Sequence, residues 1–212
     1  MGPSRPPWLD AQLPGYYGAV LLLQVVADVT LVRWFLDHGA DPNLGEQQHR
    51  TDRHGAPERD SCAILEAAAA KCDVEVVRLL LDAGAKIQTG FPLHRAAGAA
   101  PYGVNPFVGP VTISKEDDRS RIPVMALLVE RGADLNQKER AKQLMPGYSI
   151  MEAAMVGAVE RVRWLLEHGA NPEATGGWGN AVQRASRDGN EEMQRVITEG
   201  LAARRWVKEA KQ

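Results

Sequence analysis

Aromatic residues are scarce in this chain. Trp, Tyr and Phe make up 6% of its 212 residues, while Ala is abundant. Aromatic rings supply much of the bulk of large cores, so one big compact core is not expected. Cysteine is nearly absent as well. Two Cys cannot build a disulfide framework, and a reducing intracellular compartment is the expected home. Neither sign of charge is in excess, with 25 Lys and Arg against 27 Asp and Glu for a net −2. That balance argues against a chain built to coat nucleic acid or an anionic membrane by bulk charge. No hydrophobic run is long enough to span a bilayer. The longest, Ala19 to Ala27, reads as a buried helix. The start, Met1-Gly2-Pro3-Ser4-Arg5-Pro6-Pro7-Trp8, has no apolar run behind its Arg, so no secretory leader is expected. Pro3 and Pro6 speak against myristoylation of Gly2. What remains, 44% hydrophobic and 25% charged residues, is the balance of a soluble folded protein.

One phrase recurs. It reads Trp34-Phe35-Leu36-Asp37-His38-Gly39-Ala40-Asp41, then Leu79 to Lys86, Leu127 to Asp134 and Trp164 to Asn171, with a shorter copy at Val196 to Gly200. The marker glycines Gly39, Gly84, Gly132, Gly169 and Gly200 are 45, 48, 37 and 31 residues apart by their numbers. The period is irregular, but the unit is constant.

Each phrase has a physical meaning. The apolar run before it, as in Val74-Glu75-Val76-Val77-Arg78-Leu79-Leu80-Leu81, confines charge to one stripe and predicts an amphipathic helix. The glycine is placed to take a positive φ and stop that helix. Asp or Asn follows, then Pro42 or Pro172 in two copies, and the chain turns away. Upstream in each unit lies a second helix, marked by the paired small residues Ala68-Ala69, Ala96-Ala97, Ala153-Ala154 and Ala185-Ser186. Ala is a good helix former anywhere. Its return at one offset before the marker glycine points instead to close helix packing between stacked units.

Helix, tight turn, helix, glycine stop and polar loop together resemble the ankyrin repeat. Phe91-Pro92-Leu93-His94-Arg95-Ala96-Ala97 matches the opening of the family's first helix, Thr-Pro-Leu-His-x-Ala-Ala. The Gly-Ala-Asp-x-Asn close appears at 39–43 and 132–136, and Gly169-Ala170-Asn171 is a variant of it. Gly179 to Gln183 resembles the opening seen in large fungal ankyrin arrays. The resemblance spans about residues 17–205. It implies an all-α solenoid of about five helix-turn-helix units, near 17–43, 63–88, 91–136, 148–173 and 180–205. A Pro-rich segment at 1–16 precedes them and a tail at 206–212 follows.

Departures mark where this array is unusual. The expected first helix, Val20 to Val26, is apolar all round, although a terminal repeat should present a polar face. Either the segment with Trp8, Leu9, Leu13, Tyr16 and Tyr17 covers it, or another chain does. Insertions are expected at 44–62, 99–121 and 137–147, and a solenoid tolerates such loops.

Little suggests chemistry. His49 and His54 share a loop with Asp52, Glu58 and Asp60, but no Cys pair or His-Glu-x-x-His accompanies them, and Cys62 and Cys72 are read as buried or half-buried thiols. By resemblance, His94 tethers neighbouring turns through the backbone. His38 and His168 stand at helix ends, where an imidazole suits the dipole. Gly176-Gly177-Trp178-Gly179-Asn180 matches no phosphate loop, and no Gly-x-Ser-x-Gly occurs. Arg204 to Lys211, with four basic residues and Trp206, is read as a basic last helical turn with Trp206 covering the end of the stack, rather than as a patch for nucleic acid or an acidic partner. No cofactor, metal, small-molecule substrate or catalytic residue is expected.

The resemblance implies a non-catalytic protein-interaction module whose partner meets the loop tips and the two residues after each small pair. Those residues are Ala70 and Lys71, Gly98 and Ala99, Met155 and Val156, and Arg187 and Asp188. Among them Lys71, Met155, Val156, Arg187 and Asp188, with Trp178 at an adjacent loop tip, are the candidate partner-binding residues. Met155 and Val156 are apolar where a polar residue is expected, unless the long loops fold over them. A monomer is expected, binding a protein rather than nucleic acid or membrane. The alternatives are a metal-dependent or enzymatic function in the 44–62 insertion, or a subunit that docks through its apolar first repeat.

Overall fold

The computed structural model describes residues 24–45, 58–139 and 147–209, with side chains described as far as Trp206. Among them every regular element is helical, and the only bridges are isolated ones at Gly45–Glu58 and Gly176–Gly179. The chain divides into two compact units, Met1–Pro92 and Leu93–Gln212. The segment with Trp8 to Tyr17, most of the expected first helix, and the loop carrying His49, Asp52 and His54 lie outside the described residues.

In the first unit, Gln24 to Ala27 forms a turn rather than the end of a helix. Asp28 then caps α1 (Val29–Asp37), its carboxylate accepting the amides of Thr30 and Leu31 at 2.9 and 3.0 Å. Helices α2 (Ala63–Lys71) and α3 (Val74–Asp82) form a hairpin. The inner face of α2 is small, with Ala68 and Ala69 buried, and it lies against Val76, Val77, Leu80 and Leu81 of α3. Each fully buried aliphatic side chain contributes about 1.5–3 kcal/mol.

The second unit holds α4 (Pro92–Ala97), α5 (Lys115–Ser120), α6 (Ile122–Glu130), α7 (Ser149–Met155), α8 (Val159–Glu167), α9 (Ala181–Arg187) and α10 (Glu191–Glu209). Here α7 packs on α8 and α9 on α10. Like helices also meet, α7 against α9 and α8 against α10, so the last two pairs stack side by side. Ala153, Ala154 and Ala185 are buried at those contacts.

Four marker glycines behave as their position demands. Gly39, Gly84, Gly132 and Gly169 have φ of 89°, 91°, 97° and 98°, where a side chain would be strained. Gly200 does not. Helix α10 runs through it, and through residue 205, to Glu209. A Cβ at Gly200 would lie 2.9 Å from Leu166 Cδ1, so this glycine serves close packing on α8 rather than helix termination. Between loops, Asn43 donates to Gly84 O and accepts from Lys86 N, at 3.0 and 2.8 Å. Asn136 does the same with Gly169 O and Asn171 N, at 3.3 and 2.8 Å.

Trp34 is 41% exposed and Trp164 is half-buried. Each stacks on the His four residues later, with ring centroids 4.0 and 3.9 Å apart, while that His Nδ1 donates to the Trp carbonyl at 2.7 Å. Trp206 is 74% exposed, too open to cover the end of the stack as expected. Its neighbour Arg204 secures this end of α10 by donating to the carbonyls of Gly169 and Ala170.

Candidate functional site

Between α4 and α5 runs a strap, residues 98–114, that carries three Pro and no charged side chain. A segment this poor in secondary structure would cost conformational entropy to hold in one place. Two buried arginines hold it.

Arg161, on α8, is 1% exposed. Its Nη1 donates to the carbonyls of Ala97 and Ala99 at 2.8 and 2.6 Å, closing the open end of α4 where the strap begins. At the strap's far end its Nε donates to Asp118 O and Oδ1 at 3.0 and 3.2 Å. Asp118 in turn accepts the amides of Glu160 and Arg161 at 2.6 and 3.1 Å. Ala158 cannot cap α8 with its own side chain, so a carboxylate from α5 does so. Burial lowers the Arg161 pKa to about 10, opposed chiefly by Asp118, so the guanidinium stays charged at neutral pH. Burial pushes the Asp118 carboxyl up, against the pull of the two amides and Arg161.

Arg184, on α9, holds the middle. Its Nη2 donates to Pro106 O at 3.0 Å and lies 3.5 Å from the carbonyls of Gly109 and Met155, while its Nε pairs with Asp188. Gly157, in the α7–α8 turn at φ 69°, lets the strap pass: a Cβ there would sit 2.1 Å from Val111 O. His94, buried in α4, is held by the backbone of Gly147 and Gln137, and burial lowers its pKa to about 4. Cys62 and Cys72 are both buried, and burial pushes the Cys62 thiol up to about 12, out of reach of thiolate chemistry at neutral pH.

These ties leave apolar side chains displayed. Tyr102 is fully exposed, Val108 is 82% exposed and Phe107 65%. Trp178 stands beside them, its ring 5.6 Å from that of Phe107. Its position is set by a tight hairpin between Gly176 and Gly179, then by Asn180, which caps α9 in a reciprocal box with Gln183.

The expected site residues separate. Met155 and Val156 are each 2% exposed, a correction: they are buried and cannot be surface anchors, and the insertion passes beside them at Gly157. Trp178 is exposed, on the strap's crest. Asp188 is half-buried and holds Arg184, and Arg187 is exposed with its Nε 3.8 Å from Asp188. Lys71 is exposed on α2, in the other unit. Ala99 contributes its carbonyl to Arg161.

Sequence reasoning missed Arg161, Arg184 and Asp118. A signal existed for the first. Counting back from the marker glycines, Arg161 occupies the position of Val76, which is buried in α3. A charged residue on an apolar stripe implies a buried partner.

A second feature is an open groove of about 570 Å³ between α8 and α10, lined by Leu166, Val196, Gly200 and Ala203 with Arg163 and Arg204. Among the described residues no group of three or more His, Cys, Asp or Glu is placed to hold a metal ion. None of the described helices is long and apolar enough to cross a membrane.

The ankyrin repeat family model matches residues 149–176, from the start of α7 to the hairpin that carries Trp178. No curated protein matches the chain.

Proposed function

From the ankyrin repeat match at residues 149–176, we propose a non-catalytic interaction module whose partner contacts the strap crest. Ankyrin repeats are generally protein–protein interaction modules, and here the small-pair positions Met155 and Val156 are buried, so the contact surface lies elsewhere. The observation that carries the reading is the crest itself, Tyr102, Phe107, Val108 and Trp178, displayed on a base pinned by buried Arg161 and Arg184. Exposed aromatics on a rigid support resemble the anchors that dominate protein interfaces, because little entropy is lost when they are buried. Two buried cysteine thiols outside any disulfide fit a reducing compartment. The chain works as a monomer on this reading, which light scattering checks.

Affinity capture with quantitative mass spectrometry tests it. The double variant Phe107→Ala/Trp178→Ala should lose the proteins that the wild-type chain captures. An unchanged set of captured proteins sinks the proposal.

A further inference from the structure

The strap contains a local structure more specific than an apolar crest. Asn105 Oδ1 accepts the amide of Phe107 at 3.0 Å, and Asn105 O accepts the amide of Val108 at 3.3 Å. The two bonds close one turn over Asn105-Pro106-Phe107-Val108, with proline fixing φ at its second position. Arg184 holds this turn from beneath by the carbonyls of Pro106 and Gly109, so its outer side faces solvent. The Asn105 carboxamide nitrogen makes no hydrogen bond among the described residues, and the oxygen of the same group holds the backbone amide of exposed Phe107. A donor and an aromatic ring are thus held ready, on a backbone already in one conformation.

We infer that the Asn105-Pro106-Phe107 turn is itself the recognition element, read by a partner protein that offers a phenyl-sized apolar pocket with a hydrogen-bond acceptor on its rim. This rests on the interaction reading above and names its partner chemistry. The pocket takes Phe107, the acceptor takes the Asn105 Nδ2 donor, and Trp178 packs against the pocket's edge. A lipid surface is the weaker match to the same apolar residues. Interfacial membrane binding gains much from basic side chains beside the apolar ones, and the strap from Ala99 to Ser114 has no charged residue.

The test is isothermal titration calorimetry of the full chain against a purified domain that binds short Asn-Pro-Phe turn peptides. Saturable binding is expected, displaced by a free Asn-Pro-Phe peptide. Phe107→Ala should weaken it at least about thirtyfold, the scale of an interface anchor. Asn105→Asp keeps the acceptor that closes the turn and removes the donor, and should weaken it about tenfold. Arg78→Ala, at an exposed position of α3, should change nothing. No binding by the wild type, or wild-type affinity in Phe107→Ala, overturns the inference. So does Phe107-dependent sedimentation with phosphatidylcholine–phosphatidylserine vesicles in the absence of domain binding. If the titration fails while the double variant still loses captured proteins, the interaction reading stands without this turn. If captured proteins are unchanged, that broader reading has failed.

Discussion

Helices α7 and α8 are joined by Val156, Gly157 and Ala158 alone, whereas α4 and α6 are separated by the strap and α5. The short connection needs only local support. Gly157 takes a positive φ, and the amides of Gly157 and Ala158 donate to Ala154 and Ala153 at 3.1 and 3.0 Å. The long connection has only isolated turns of its own, such as that closed by Val108 N on Asn105 O, and is held by groups far away in sequence, Arg161, Arg184 and Asp118. Most of the strap's polar anchoring is to its backbone carbonyls, which a guanidinium with several donors can gather at once. Its apolar side chains are thereby left free to point outward. The two connections teach that an insertion in a repeat need not be loose, provided a neighbouring repeat gives up an apolar core position to a charge.

The largest break in that comparison should come from Arg161→Met with Asp118 kept. It leaves a buried carboxylate without its cation and should cost about 3–5 kcal/mol in urea denaturation. Changing Asp118→Leu at the same time should recover much of the loss, because an apolar pair of similar volume can replace a buried ion pair. Equal stability of the single and double variants would mean that the pair is not what matters.

His94 separates the two helix pairs next, since Met151 stands at its position in α7, counting from the paired alanines. With a folded pKa of about 4 against an ordinary 6.5, the unfolded chain binds more protons between those values. Stability therefore falls as pH drops from about 6.5 to about 4, by up to about 3 kcal/mol, and this contribution changes no further below. Urea midpoints at neutral and acid pH read the slope, and His94→Met should flatten it.

Arg184→Met unpins only the middle of the strap. The expected cost is about 1–3 kcal/mol, the scale of lost charged hydrogen bonds. Limited proteolysis should cut between residues 99 and 114 faster than in the wild type, with the α7–α8 turn still resistant. The smallest effect is that of Phe107→Ala, which should move stability by no more than about 0.5 kcal/mol because the ring is exposed. A large destabilisation would show that the crest is structural rather than displayed.

Much of the helical framework was legible, because its signals are local. Leu80 and Leu165 are buried at matching places before matching glycines, and each Trp–His pair adopts one geometry in both copies. Gly200 misled because a glycine in a helix serves either termination or close approach, and only the neighbouring Leu166 decides between them. Met155 and Val156 misled for a similar reason: apolar residues there are either surface anchors or buried, and only the packed chain decides between them.

The sequence by itself determined the helix pairs, the four glycine stops and the small-residue contacts, since backbone sterics and apolar periodicity act over a few residues. The tertiary structure alone decided that the insertion lies pinned as a strap, that Asp118 caps a helix from a distance, and that Tyr102, Phe107, Val108 and Trp178 form the exposed surface. Those outcomes depend on burying charge between segments distant in sequence. Whether such a charge finds its partners is settled only when the chain has folded.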